Sequence, residues 1–229
     1  GTILQKGQKG MPTSQTDVLL RVTAPTEAVN QLSGGDKYNV SGQVVATLQA
    51  VDAYGTANPD RKLVYVGIEY KTYHPRSQPQ FAGRVLREGA TLPFEADSYQ
   101  FEGQVVRMDA VELPGRETTR TIKIELEGVD PAVAESYRPG MEESVRDETI
   151  ARIDEVEVEP TQMVLTSQEG NVFVRDHPIK KDVTITADIR VRQTPRTIRF
   201  KGDTLQRGDT VTLDLGTVTL RGTVTRFEI

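Results

Sequence analysis

The sequence predicts a mainly β protein made of two homologous antiparallel domains, each a small barrel or sandwich with one short helix. Three observations carry this expectation: alternation of apolar and polar residues, a long self-match between the halves, and a repeated strand-helix-turn opening. Alternation is cleanest at Val183, Ile185, Ala187, Ile189 and Val191, set against Asp182, Thr184, Thr186, Asp188, Arg190 and Arg192. A strand with this period buries one face and wets the other, as antiparallel sheets do.

Along the chain, residues 1–16 (GTILQKGQKGMPTSQT) carry two lysines, no acid and three glycines, and read as a flexible linker or tether. Val18–Val22 is the first strand and is apolar on both faces, unlike its mate Ile122–Leu126. An edge strand dry on both sides needs a cover, so Leu20 is a candidate interface residue and self-association an expected consequence. The alternative is that the second domain or the short helix covers it. Thr26 precedes a helical EAVNQL that stops at Gly34-Gly35, and Asp130-Pro131 opens a second helix closed by Pro139-Gly140. Pro114–Glu117 joins the domains, giving boundaries of 17–115 and 116–229. Within the second, Met163–Thr166, the turn SQEGN and Val172–Arg175 form a hairpin signature, an insertion near 160–178. Val211, Leu213 and Leu215, then Val218, Leu220 and Val224, make a terminal hairpin about Gly216.

The self-match runs without gaps at an offset of 119, Gly83–Asp109 lying over Gly202–Glu228. Identical pairs are Gly83/Gly202, Leu86/Leu205, Gly89/Gly208, Thr91/Thr210, Gly103/Gly222, Val105/Val224 and Arg107/Arg226. Upstream, Ala46, Leu48 and Val51 match Ala151, Ile153 and Val156 at 105, and the change of offset marks the insertion. Gly103 and Gly222 fall inside strands, where glycine marks a bulge or a neighbour too close for a Cβ.

Composition narrows the chemistry. With no cysteine and two histidines among 229 residues, disulfides, thiol catalysis and Cys-based zinc sites are excluded. A net charge of −5 gives no reservoir for phosphate backbones, so nucleic acid is not an expected partner. Tyr65, Tyr70, Tyr73 and Phe81, with Lys62, Lys71 and Arg76, are the one local set that stacking on single strands would use. His74 and His177 each precede proline and do not superpose in the repeat, which is the pattern of loop residues. Arg207-Gly208-Asp209 occupies a turn in the repeat frame, matching Glu88-Gly89-Ala90. Acids cluster from Glu142 to Glu159; convergent, they would serve a carbohydrate-active hydrolase or a carbohydrate-binding module, and dispersed, they are a solvated strand face. No catalytic residue, cofactor or metal ligand is assigned. Asn39-Val40-Ser41 is an N-glycosylation sequon, making Asn39 a candidate acceptor outside the cytoplasm.

The closing residues TIRFKGDTLQRGDTVTLDLGTVTLRGTVTRFE and the opening VLLRVTAPTEAVNQLSGGDKY resemble the hairpins and the start of a prokaryotic domain-of-unknown-function family, number 4330. Its archaeal members look like one N-terminal membrane helix followed by a small β-rich extracytoplasmic domain. The resemblance implies two such domains in tandem, a cell-envelope location, and a membrane anchor through a segment preceding Gly1. It implies a non-enzymatic structural or adaptor module whose partners are envelope proteins or further copies of itself, and it transfers no catalytic residue.

Overall fold

A computed structural model describes residues 13–73 and 78–228. The chain divides into two compact units, one taking the residues up to Tyr54 with Asp60–Pro114, the other taking Gly55–Pro59 with the chain from Gly115 onward. Strands make up 66% of the protein and helices 6%, and the two sheets form a half-barrel and a nearly closed barrel. Among the described residues, no helix is long and apolar enough to cross a membrane.

In the first unit, β1 (Thr13–Pro25) leads into α1 (Thr26–Gln31), then β2 (Lys37–Val40), β3 (Gln43–Gly55), β4 (Arg61–Tyr73), β5 (Gln80–Phe81), β6 (Arg84–Val85), β7 (Thr91–Glu95) and β8 (Gln100–Met108). The second unit follows with β9 (Arg116–Val129), α2 (Pro131–Ser136), β10 (Glu142–Val145), β11 (Glu148–Thr166), β12 (Val172–Gln193), β13 (Ile198–Phe200), β14 (Asp203–Thr204), β15 (Thr210–Asp214) and β16 (Thr219–Phe227). The sheet orders are β2-β3-β4-β1-β8-β7 and β10-β11-β12-β9-β16-β15, one topology written twice. Even the irregularities recur. Between β1 and β8 the register slips at Leu19/Leu20, and between β16 and β9 it slips at Val224/Arg226, so Val106 and Thr225 are the extra residues of corresponding bulges. Turn bonds repeat as well: Gly89 N donates to Val105 O at 2.8 Å, and Gly208 N to Val224 O at 2.7 Å.

The alternation read in β12 is observed directly, since Val183, Ile185, Ala187, Ile189 and Val191 are all buried. They pack with Ile122, Ile124, Ile153, Leu213 and Leu220 into the core of the second unit, while Val18, Leu20, Val64, Val66, Ile68, Tyr70 and Phe94 make that of the first. Both helices are six residues long, below the length at which helix stability is self-sustaining, so packing through Val29 and Ala134 holds them. Asp130 does precede Pro131 at the helix start, but the first helix begins at Thr26 itself, with Pro25 in the cap position.

Two expectations require correction. The linker reading extended to residue 16; residues 1–12 lie outside the described residues, and Thr13–Thr16 belong to β1, paired with Tyr70–Tyr73. Their hydroxyls are satisfied across the ladder, Thr16 Oγ1 lying 2.8 Å from Thr72 Oγ1 in a buried contact, so a polar segment enters the sheet at little desolvation cost. Second, β1 is not an edge. It lies between β4 and β8, and Leu20 is fully buried within its own unit. The other face is covered as well: Leu19 pairs with Gly67, and the backbone of Val111 sits where a Cβ of Gly67 would be. The chain after β8 folds back through Val111 against Gly67 of β4, beside Leu19, and Leu20 has no surface to offer a partner.

Neither Gly103 nor Gly222 has a positive φ; what fixes them is close approach by the central strand. A Cβ on Gly103 would lie 2.8 Å from Val22 Cγ2 and 2.9 Å from Leu20 Cβ, and one on Gly222 would lie 2.5 Å from Ile124 Cγ2 and 3.0 Å from Glu125 O. Glycine at this position lets branched side chains of β1 and β9 lie against the backbone of the neighbouring strand. Gly222→Val is therefore expected to destabilise the second unit by about 1–3 kcal/mol through overpacking. Urea unfolding of the purified chain measures this, and a loss within error of zero contradicts the close-packing explanation.

Candidate protein-interaction arm

The second unit carries one structure that the first lacks. β11 and β12 continue beyond the sheet as a two-stranded ribbon in which Gln162–Thr166 pair with Val172–Asp176. β12 reaches its other neighbour, β9, only from Lys181 onward, so among the described residues the ribbon has no flanking strand. Its base is set by an irregularity: pairing jumps from Pro160/Lys181 to Gln162/Asp176. There His177 Nδ1 accepts the amides of Ile179 and Lys180 at 3.1 and 2.9 Å, which closes a turn around Pro178. Asp182 Oδ1 ties the same region down, accepting Thr161 Oγ1 at 2.7 Å and Gly128 N at 2.8 Å. The tip is a tight turn at Ser167–Gly170, with Gly170 at φ 85° and Ser167 Oγ accepting Asn171 N at 3.1 Å. Gln162 Nε2 donates to Asp176 Oδ1 at 2.6 Å and locks the cross-strand register.

The ribbon is apolar where it meets water. Val164, Val172 and Val174 are 67%, 64% and 63% exposed on one face, and Leu165 and Phe173 are 44% and 47% exposed on the other. The arm holds five of the eight exposed large hydrophobic residues among the described residues, and two more, Val158 and Ile179, lie on either side of its base. Single exposed apolar residues need no explanation, but a contiguous patch marks a contact surface.

The acids from Glu142 to Glu159 do not converge. Glu142 Oε2 accepts Thr149 Oγ1 at 2.8 Å, and Glu148 pairs with Arg190, whose Nε also reaches Glu117 at 2.7 Å. Glu155, Glu157 and Glu159 are exposed along β11, and Asp147 sits in a turn at φ 62°. Asp154 lies against Asp188; partial burial, then the hydrogen bond and like charge of Asp188, raise its carboxyl above the usual carboxylate range. Glu143 alone is buried. Its Oε1 accepts Lys201 Nζ at 2.5 Å and Asp214 N at 2.9 Å, while Oε2 is buried without a hydrogen-bond partner. Among the described residues no cluster of three or more metal-ligating side chains occurs.

Other sequence-marked residues take structural places. Tyr65, Tyr70 and Phe81 are buried, Tyr70 donating its hydroxyl to Pro93 O at 2.9 Å, so these three rings build the core, while Tyr73 is half-buried. Arg76 and His74 lie outside the described residues. Gly208 is at φ 96° in the turn expected of the Arg-Gly-Asp sequence, whose Asp209 accepts Gln206 N. Asn39 is exposed on β2, a sheet edge beside the Ser41-Gly42 turn.

A family model described as Domain of unknown function (DUF4330) matches residues 114–228, half of the chain. The chain belongs to the DUF4330 family. Comparison with curated proteins finds no match, and comparison with solved structures finds none. The DUF4330 match spans the strands of the second unit from β9 to β16, with the arm inside it. What sequence reading missed was the exposure of the hairpin, not its existence. The signal was present: MVLT and NVFV carry no charge on either face, where β12 from Asp182 to Arg192 alternates apolar with polar residues.

Two outcomes follow for the DUF4330 unit. Lys201→Met leaves a buried, unpaired carboxylate at Glu143 and is expected to cost about 3–5 kcal/mol, whereas Glu143→Leu combined with Lys201→Met recovers most of the loss; paired denaturation curves decide. Asp154, with its folded pKa raised, favours the fold in its protonated form, so that contribution is present at low pH and lost as pH rises through the folded pKa. Carboxyl titration by NMR should show a midpoint above 3.8 for Asp154 that falls in Asp188→Asn.

Proposed function

We propose that this protein is a non-enzymatic adaptor or structural module of the cell envelope that acts through protein contacts made by the arm. The observation that carries the reading is the apolar ribbon built from Val164, Leu165, Val172, Phe173 and Val174, held out from the sheet on a hydrogen-bonded base. Dispersal of the acids favours a binding module over the hydrolase, because glycoside cleavage needs two carboxylates flanking one bond. An extracytoplasmic setting, with attachment to the membrane by a preceding segment, follows the likeness to archaeal members of the family. The exposed Asn39 sequon is compatible with it. The shared strand order and the paired bulges support descent of the two units by tandem duplication of one domain, the arm being an addition to the second copy.

The test is in-cell photo-crosslinking of the full-length protein. A benzophenone side chain at Val164 is expected to give discrete adducts with envelope proteins or with another copy of the chain, and one at exposed Asp97 in the first unit to give none. Adducts equal at both positions, or absent at Val164, contradict the reading. Trimming the arm to a two-residue turn at Gln162–Asp176 should abolish the adducts and change the melting temperature by no more than a few degrees, since the exposed side chains contribute little to the core.

A further inference from the structure

One turn is built identically in both units and differs at a single side chain. In the first unit Leu86 N donates to Pro79 O, Gly89 N to Val105 O, Ala90 N to Arg87 O and Val105 N to Ala90 O. In the second, Leu205 N donates to Ile198 O, Gly208 N to Val224 O, Asp209 N to Gln206 O and Val224 N to Asp209 O. The second turn has one bond more, because Asp209 Oδ2 accepts the amide of Gln206 at 2.8 Å. Alanine stands at that position in the first unit, and the amide of Arg87 meets no acceptor among the described residues. Arg87 and Ala90 line a cleft of about 410 Å³ with Gln78, Arg84, Val85 and Thr91, a volume within the range of small-molecule sites.

We propose that this cleft binds a small carboxylate-bearing molecule, whose carboxylate takes beside Arg87 the place that the Asp209 carboxylate takes beside Gln206. The second unit sets the chemistry of the occupant, since the same backbone there holds a carboxylate on the same amide. Two arginines add to that amide. Arg84 is fixed at the wall, its Nη1 donating to Thr91 O at 2.8 Å and lying 3.6 Å from Glu102 Oε1. Its Nη2 and Nε, and the whole guanidinium of Arg87, have no partner among the described residues. A guanidinium presents paired donors that a planar carboxylate accepts. Neither arginine is needed to build the turn, because the second copy has Asp203 and Gln206 in their places. With only Val85 and Ala90 apolar, the lining suits a hydroxylated body better than a hydrocarbon one.

Amide NMR of the isotope-labelled full chain tests this, with sodium acetate and sodium galacturonate as probes and galactose and sodium chloride at matched ionic strength as controls. The Arg87 amide is expected to move downfield and saturate with the two carboxylates, while the Gln206 amide, already capped, stays still and neither control moves Arg87. Ala90→Asp supplies the first turn with the carboxylate of the second; it is expected to place the Arg87 amide downfield from the start and to abolish the response. Arg84→Gln combined with Arg87→Gln, both at exposed positions, is expected to weaken binding by about tenfold or more, the effect of losing charge-assisted hydrogen bonds, with an unchanged melting curve. No saturating shift with either carboxylate up to about 50 mM, far above a millimolar Kd, overturns the proposal, as does an equal shift from sodium chloride or undiminished binding by Ala90→Asp. A response to inorganic phosphate without one to either carboxylate overturns it too, because the occupant is then not a carboxylate.

Discussion

Each sheet is organised by one central strand whose backbone is bonded on both sides and whose side chains must therefore satisfy two neighbours at once. β1 does this between β4 and β8, and β9 does it between β12 and β16. The period-two geometry of a strand ties register to burial, so a slip of one residue would turn Leu20 or Ile124 out of the core. The corresponding bulges at Val106 and Thr225, and the glycines at 103 and 222, keep that register while letting branched side chains of the central strand meet the next backbone closely. Most of the remaining architecture is a consequence of these ladders.

The arm is where the constraint is released. From Val183 onward the β12 side chains are buried on one face by the sheet's own core; on the other side of the His177-Pro178 turn the ladder continues, but among the described residues no layer lies over it. Backbone pairing without burial is marginally stable in water, which is why the base is tied by Asp182 and by the Gln162–Asp176 pair, and the tip by Ser167 and Asn171. Retaining exposed apolar side chains on a ribbon under those conditions has a thermodynamic cost, which on the proposed reading a partner offsets by covering it.

The units also show how one backbone supports different cores. By the matching register slips, Glu143 in β10 takes the place of Tyr38 in β2. Tyr38 meets Phe81 and Phe94 edge-on in an aromatic cluster, while Glu143 meets Lys201 in a buried ion pair. The pair obeys the offset of 105 that sets Ala46 over Ala151, but sequence alone does not show that Glu143 points inward, because its cation, Lys201, lies 58 residues away. Strand periodicity, the glycine repeats and the helix starts were legible because they depend on local chemistry and on short-range pattern. The central place of β1 was not, because its neighbours β4 and β8 and the packing of Val111 on Gly67 beside Leu19 are distant in sequence, and two-faced apolarity alone does not distinguish a central strand from a docked edge. The arm was legible as a hairpin, whereas its lack of a covering layer is a tertiary property that the runs MVLT and NVFV only signal.

If the arm is where this protein meets another chain, its amides must report the meeting. Hydrogen exchange of the Val172 and Val174 amides, compared between the purified chain and its envelope fraction, measures this most directly. Protection gained in the envelope fraction at those two residues, while Val183 and Ile185 in the sheet stay constant, is the predicted result. Fast exchange at Val172 and Val174 in the purified chain and in its envelope fraction alike would contradict it.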